Sequence, residues 1–178
     1  QKAAPSLQIN NSQGTGGYTL IRIRGIGTAG GNPGLEAAVG TFIDGVYRPR
    51  SGMAVNDFVD VGLVEVLRGP QTTLFGKNTS AGAIIINTRK PSYDVGGMFR
   101  VGVGTKNEFE SAGTTEGGLI DEVLAGRLSF STRNRDGTVN DYGSNNKYHD
   151  RDRYTIKGQL LYNPVDNLAT RLIGDYTK

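Results

Sequence analysis

From residue 97 onward, bulky apolar and polar side chains alternate with a period of two. Along residues 124–135 one face carries Leu124, Gly126, Leu128, Phe130 and Thr132, and the other Arg127, Ser129, Ser131, Arg133 and Arg135. Along residues 153–162, Tyr154, Ile156, Gly158, Leu160 and Tyr162 oppose Arg153, Thr155, Lys157 and Gln159. Further on, Leu168, Leu172 and Tyr176 oppose Arg171, Asp175 and Thr177. Successive side chains of a β-strand point to opposite faces. The pattern therefore predicts strands over 98–104, 109–120, 123–135, 153–162 and 168–178, each with one greasy and one wet face. A soluble antiparallel sheet lying on a core and a membrane sheet facing lipid share this alternation. Periodicity alone puts the soluble sheet ahead, because the barrel signal carried by any one strand is weak.

The connections sort by length. Asp121-Glu122 and residues 163–167 are short, whereas residues 136–150 are long, polar and rich in Asn. Short turns at one end and longer loops at the other are the habit of outer-membrane barrels. With the first half of the chain on the periplasmic side, the strands run alternately up and down, the short turns lie in the periplasm and the long loop lies outside. About five strands cannot close, and an open edge in lipid leaves N–H and C=O groups without partners. The expectation is an incomplete barrel.

Near Lys90-Pro91-Ser92 the rhythm changes. Before it, apolar runs at 18–24, 39–43, 63–67 and 83–88 are divided by irregular Gly-rich loops, the mark of a compact mixed domain. Asp44-Gly45, between Thr41-Phe42-Ile43 and Val46-Tyr47, accepts the positive φ values of a type I′ hairpin turn. Pro70 suits the first position of a short helix through Gln71 to Leu74, with Gly76 ending the turn. Ile84-Ile85-Ile86 reads as a strand buried on both faces.

Composition narrows the classes. No run of about 18 apolar residues exists, so a spanning helix is excluded, while membrane strands need only about 9 to 11 residues. The chain has no cysteine, which removes disulfides and thiolate sites. A net charge of +3 is spread among interleaved acids, which argues against nucleic acid. The 27 glycines favour turns and close backbone approaches over helices. Residues 1–7 carry no apolar secretion segment, and both ends are expected to be cut from a longer protein.

Several motifs fail on context. Gly25-Ile26-Gly27-Thr28-Ala29-Gly30 fits G-x-G-x-x-G, but the preceding strand alternates Ile21, Arg22, Ile23, Arg24, and Gly31-Asn32-Pro33-Gly34 stands where a phosphate-binding helix should begin. Residues 69–77 have the wrong glycine spacing for a phosphate loop, and Asn78 replaces the magnesium-binding Ser or Thr. His149 is the sole histidine, which rules out a histidine metal cluster, and it sits in a polar loop, which argues against a Ser-His-Asp triad. Asp44, Asp60 and Glu65 read as turn formers or ion-pair members, not as an acid–base pair. Neither catalytic residues, nor a cofactor, nor a metal site is expected.

The run Val64-Glu65-Val66-Leu67-Arg68-Gly69-Pro70-Gln71-Thr72-Thr73-Leu74-Phe75-Gly76, continuing through Asn78, Ala81-Gly82-Ala83 and Ile84 to Pro91, resembles the plug signature of TonB-dependent receptors. Ile23-Arg24-Gly25-Ile26-Gly27 and Phe42-Ile43-Asp44-Gly45-Val46-Tyr47 resemble it too, in the same order and spacing. The resemblance implies an α+β plug domain over 1–91, a small mixed sheet with short helices. Antiparallel strands of an incomplete transmembrane β-barrel would follow over 92–178, belonging to a barrel of the plugged class with about 22 strands.

It also implies residence in the bacterial outer membrane among its lipid, and uptake of a scarce nutrient complex, most commonly a ferric siderophore. TonB would be the energy-coupling partner, through a segment expected outside this sequence. No bond is made or broken in such a protein, so its residues position, latch and bind. Arg24 and Arg68 match the family's plug–barrel latch, whose glutamate partners are expected beyond this sequence. Gly25, Asp44, Gly45, Glu65, Gly69, Pro70, Gly76 and Gly82 carry the plug signature. Thr28, Asn32, Tyr47, Arg48 and Arg50 fall in loops that face ligand in relatives. The isolated chain is expected to fold poorly or aggregate. The alternative from the residues alone is a soluble β-rich binding or adhesion module without transport activity.

Overall fold

The computed structural model describes residues 4–11, 19–28, 35–49, 59–140, 147–148, 150–165 and 167–178. The chain divides into two compact units, Gln1–Arg89 and Lys90–Lys178.

In the first unit, β1 (Leu7–Asn11) and β2 (Thr19–Ile23) form an antiparallel pair. A mixed four-stranded sheet follows, built from β3 (Val39–Ile43), β4 (Val46–Arg48), β5 (Val61–Arg68) and β6 (Gly82–Thr88) in the order β4-β3-β6-β5. Only β3 and β6 run parallel. β6 is thus paired on both sides, which explains its unbroken isoleucine run: Ile84 and Ile86 point into the core and Ile85 is half-buried on the other face. With Leu7, Ile21, Ile23, Val39 and Ala81 these two form the hydrophobic cluster that joins the β1–β2 pair to the larger sheet.

The short helix α1 spans Thr72–Phe75, with Gln71 as its N-cap and Gly76, at φ 77°, closing it. Pro70 therefore precedes the helix and does not occupy its first position. The reason is that the β5–β6 ladder runs on past β5. The Gly69 N–H donates to the Ala81 carbonyl at 3.1 Å and the Gln71 N–H to the Thr79 carbonyl at 3.0 Å. In an antiparallel ladder alternate residues bond to the partner strand, so Pro70 stands where no donor is required.

The second unit is a five-stranded antiparallel sheet in the order β13-β12-β9-β8-β7. Its strands are β7 (Gly96–Gly104), β8 (Glu108–Ile120), β9 (Leu124–Arg135), β12 (Arg151–Val165) and β13 (Leu168–Thr177). Within the connection from β9 to β12, β10 (Val139–Asn140) and β11 (Lys147–Tyr148) pair as a short ribbon that the sequence pattern does not predict.

The sidedness of this sheet reverses that of a soluble one. Its polar face is buried: Arg127 is 7% exposed, Ser129 0%, Lys157 6% and Gln159 3%. Its apolar face is open, with Leu128 at 48%, Phe130 at 40%, Ile156 at 47% and Leu160 at 40%. Hydrophobic side chains left outward over several adjacent strands cost free energy in water and none in hydrocarbon. The soluble sheet that periodicity alone favours is overturned by this sidedness.

Candidate functional site

Two signature motifs meet at Gly82. Ile23 and Ile26 bond to each other in both directions, at 2.9 and 3.0 Å, around Arg24 (φ 52°) and Gly25 (φ 78°). This is a two-residue hairpin turn with both central residues in the left-handed region. It holds Arg24 at its tip, where its N–H donates to the Ser6 carbonyl at 2.9 Å. Behind the turn, Ile23 is fully buried and its Cδ1 packs over Gly82. Gly82 has φ 149°, and a Cβ there would overlap the Leu67 carbonyl oxygen, so only glycine fits. Its register partner is Arg68, followed by Gly69 at φ 88°. Arg24 and Arg68 are both exposed and form no ion pair with an acid among the described residues.

The Asp44-Gly45 turn has φ values of 49° and 82°, as its sequence predicts. Asp44 does more than turn the chain. Its carboxylate accepts the Thr88 N–H at 2.9 Å and the Thr88 hydroxyl at 2.9 and 3.0 Å, and its own N–H donates to the Ile86 carbonyl at 2.9 Å. The hairpin tip is thereby clasped to the end of β6. Glu65 lies on the exposed part of β5.

Of the loop residues, Thr28 is engaged locally: its hydroxyl donates to the Glu36 carbonyl at 2.7 Å and accepts the Ala38 N–H at 2.8 Å. Tyr47 stacks on Phe42 at 5.4 Å, Phe42 meets Phe75 at 5.1 Å, and the Tyr47 hydroxyl accepts from Asn78 at 3.0 Å. Arg48 is half-buried. Asn32 and Arg50 lie outside the described residues. Close to α1, Lys77 donates to Glu36 at 2.6 Å, and this hydrogen bond holds its ammonium above the usual lysine value.

On the second unit's polar face, charges form a ladder across strands. Arg133 bonds Glu110 at 3.0 Å and approaches Glu108 at 3.6 Å, Arg100 reaches Glu110 at 3.4 Å, and Arg127 pairs with Glu116. Arg171 donates to the Gln159 side-chain oxygen at 2.6 and 3.1 Å. Alternation places Arg127, Arg133, Gln159 and Arg171 on polar faces but does not pair them. Their signal was present, since a tight turn centred on 121–122 mirrors 116 onto 127 and 110 onto 133. On the apolar face Tyr154 and Tyr176 stack at 5.8 Å, and Tyr162 lies eight residues further along β12. No group of acidic or histidine side chains suited to a metal occurs among the described residues.

The model of the TonB-dependent receptor plug domain matches residues 1–83. The pesticin receptor of Yersinia pestis is 33% identical over 138 residues, 78% of this chain and 20% of the relative. The ferrioxamine receptor of Yersinia enterocolitica is 29% identical over 179 residues, 98% of this chain and 23% of the relative. The crystal structure of the ferric yersiniabactin uptake receptor FyuA from Yersinia pestis superimposes with a TM-score of 0.82 at 26% identity, covering 97% of this chain and 27% of that one. The chain thus spans about a fifth of the length of the curated relatives it matches.

Proposed function

Residues 1–83 are a plug domain of the TonB-dependent receptor family and the strands after it form an unclosed barrel-like sheet, and from this premise we propose that the protein is an outer-membrane receptor for TonB-coupled uptake of a ferric siderophore. The observation that carries the reading is the inverted sheet, whose exposed face is the apolar one. A face of this kind has lipid as its solvent. Tyrosines at two levels of β12 flank Ile156 and Leu160, about 26 Å apart along the strand at roughly 3.3 Å per residue. With barrel strands tilted by about 35–45°, this is about 20 Å of height, so the two tyrosine levels fall toward the borders of an apolar band about 25 Å tall. A soluble binding or adhesion module would turn the same face inward.

The siderophore class is supported by the relatives' names, two of which are receptors for ferrioxamine and ferric yersiniabactin. The plug over 1–91 acts as the gate and 92–178 as the start of the wall. Arg24 and Arg68, exposed on motifs that meet at Gly82, latch the plug by pairing with acidic side chains of the barrel. Buried pairs of this kind are costly to break from one side. Loops bearing Thr28, Asn32, Tyr47, Arg48 and Arg50 face the ligand, with the arginines favouring an anionic chelate.

The test is uptake of radiolabelled ferric yersiniabactin and ferrioxamine by cells whose sole siderophore receptor carries this sequence. Uptake that an uncoupler of the proton gradient abolishes is expected. Accumulation of neither chelate, or accumulation indifferent to the uncoupler, would overturn the proposal.

A further inference from the structure

The short connector after the plug is fastened to the strand unit at Ser92, Tyr93 and Val95. Pro91 is buried. The Ser92 N–H donates to Glu116 Oε2 at 3.0 Å. The same carboxylate pairs with Arg127, whose side chain is only 5% exposed, so the acceptor is held in place by a charge that cannot leave it cheaply. The Tyr93 carbonyl accepts the Gly118 N–H at 2.9 Å, and the Tyr93 hydroxyl accepts from Asn163 Nδ2 at 3.0 Å. Asn163 is itself tied to the β8–β9 turn, its N–H donating to the Val123 carbonyl at 2.8 Å. Val95 rests on Gly117, where a methyl group would crowd it.

Two residues before Pro91 the allegiance is different. The Arg89 N–H donates to the Asp60 carbonyl at 3.0 Å, inside the first unit, and Lys90 between the two sets of bonds is exposed.

We propose that residues 91–95 are a fixed anchor of the strand unit, with Glu116 as its positioning residue, so that any plug movement during uptake starts N-terminal to Pro91. The consequence for uptake rests on the transport reading above. A connector held by β8 and β12 through side-chain and backbone bonds behaves as part of the wall, and Lys90 is the pivot.

None of these 178 residues is a cysteine, so none of them competes with an introduced pair. The Tyr93 Cα lies 3.8 Å and its carbonyl oxygen 3.1 Å from where a Gly118 Cβ would stand, so cysteines at 93 and 118 would be immediate neighbours. In cells carrying the full receptor, Tyr93→Cys/Gly118→Cys is expected to oxidise and to retain its uptake rate within about twofold of the reduced form. Uptake lost on oxidation and restored by reductant overturns the anchor. Absence of uptake in both the wild type and the reduced variant would count against the transport reading instead.

Hydrogen exchange on the full receptor in detergent reads the anchor independently of uptake. The Ser92 and Gly118 amides are expected to be protected, with Glu116→Ala speeding exchange at Ser92 by about tenfold or more. Asn163→Ala, which leaves the ion pair intact, is expected to speed Gly118. Unprotected amides in the wild type, or no response to either substitution, overturns the proposal.

Discussion

Asp44 holds two elements at once, since its backbone forms the β3–β4 turn while its carboxylate takes both Thr88 donors. Hydrogen bonds to a charged group are the stronger kind, so Asp44→Ala, which removes this acceptor from a half-buried position, is expected to cost about 2–3 kcal/mol. Asp44→Asn, which keeps one acceptor oxygen, should cost less. The check is the urea midpoint of the full receptor followed by a probe in the plug; equal midpoints for Asp44→Ala and wild type would sink the clasp. The turn itself was legible, because Asp-Gly between β-formers has few other uses. Its partner was not. Thr88 lies 44 residues away, and no local pattern links the two. The same limit applies to Arg24 and Arg68: their motifs are visible in the sequence, but their convergence on Gly82 comes from tertiary packing.

At the scale of elements, strand positions in the second half were readable to within a few residues, and sidedness was not. Alternation says that two faces differ, and it is silent on which one meets solvent. Relative exposure decides it, with Leu128 and Ile156 open and Ser129 and Lys157 covered. A charge on the apolar face therefore opposes insertion. Leu128→Arg or Ile156→Arg should destabilise the receptor folded in lipid vesicles by about 2–4 kcal/mol near the bilayer midplane. Ser131→Arg, on the polar face of β9, should cost markedly less. Equal effects from both faces in a denaturant titration would refute the assignment. Three elements escaped the pattern for a different reason: β1 carries only two apolar residues, and β10 and β11 are two residues each, too few to establish a period.

For the molecule as a whole, these two scales set a conflict that water cannot resolve. Phe99, Val101, Val103, Leu128, Phe130, Ile156, Leu160 and Leu172 stand at least 40% exposed on one face of a single sheet. The sheet also ends in two edges, β7 and β13, whose outward backbone groups pair with no further strand among the described residues. An exposed apolar face next to an open edge is a template for association with other copies. Produced as these 178 residues, the chain is accordingly expected to sediment as heterogeneous aggregates in aqueous buffer and to become monodisperse only when detergent covers the face. Sedimentation velocity with and without detergent, followed by thermal unfolding, provides the check. A detergent-free monomer with one cooperative transition would mean that the apolar face is satisfied from within the chain, and the lipid-facing assignment would fall with it. Detergent-dependent dispersal would instead locate the missing contacts of that face in the membrane, where both the outward leucines and the buried charges of the opposite face cease to be anomalies.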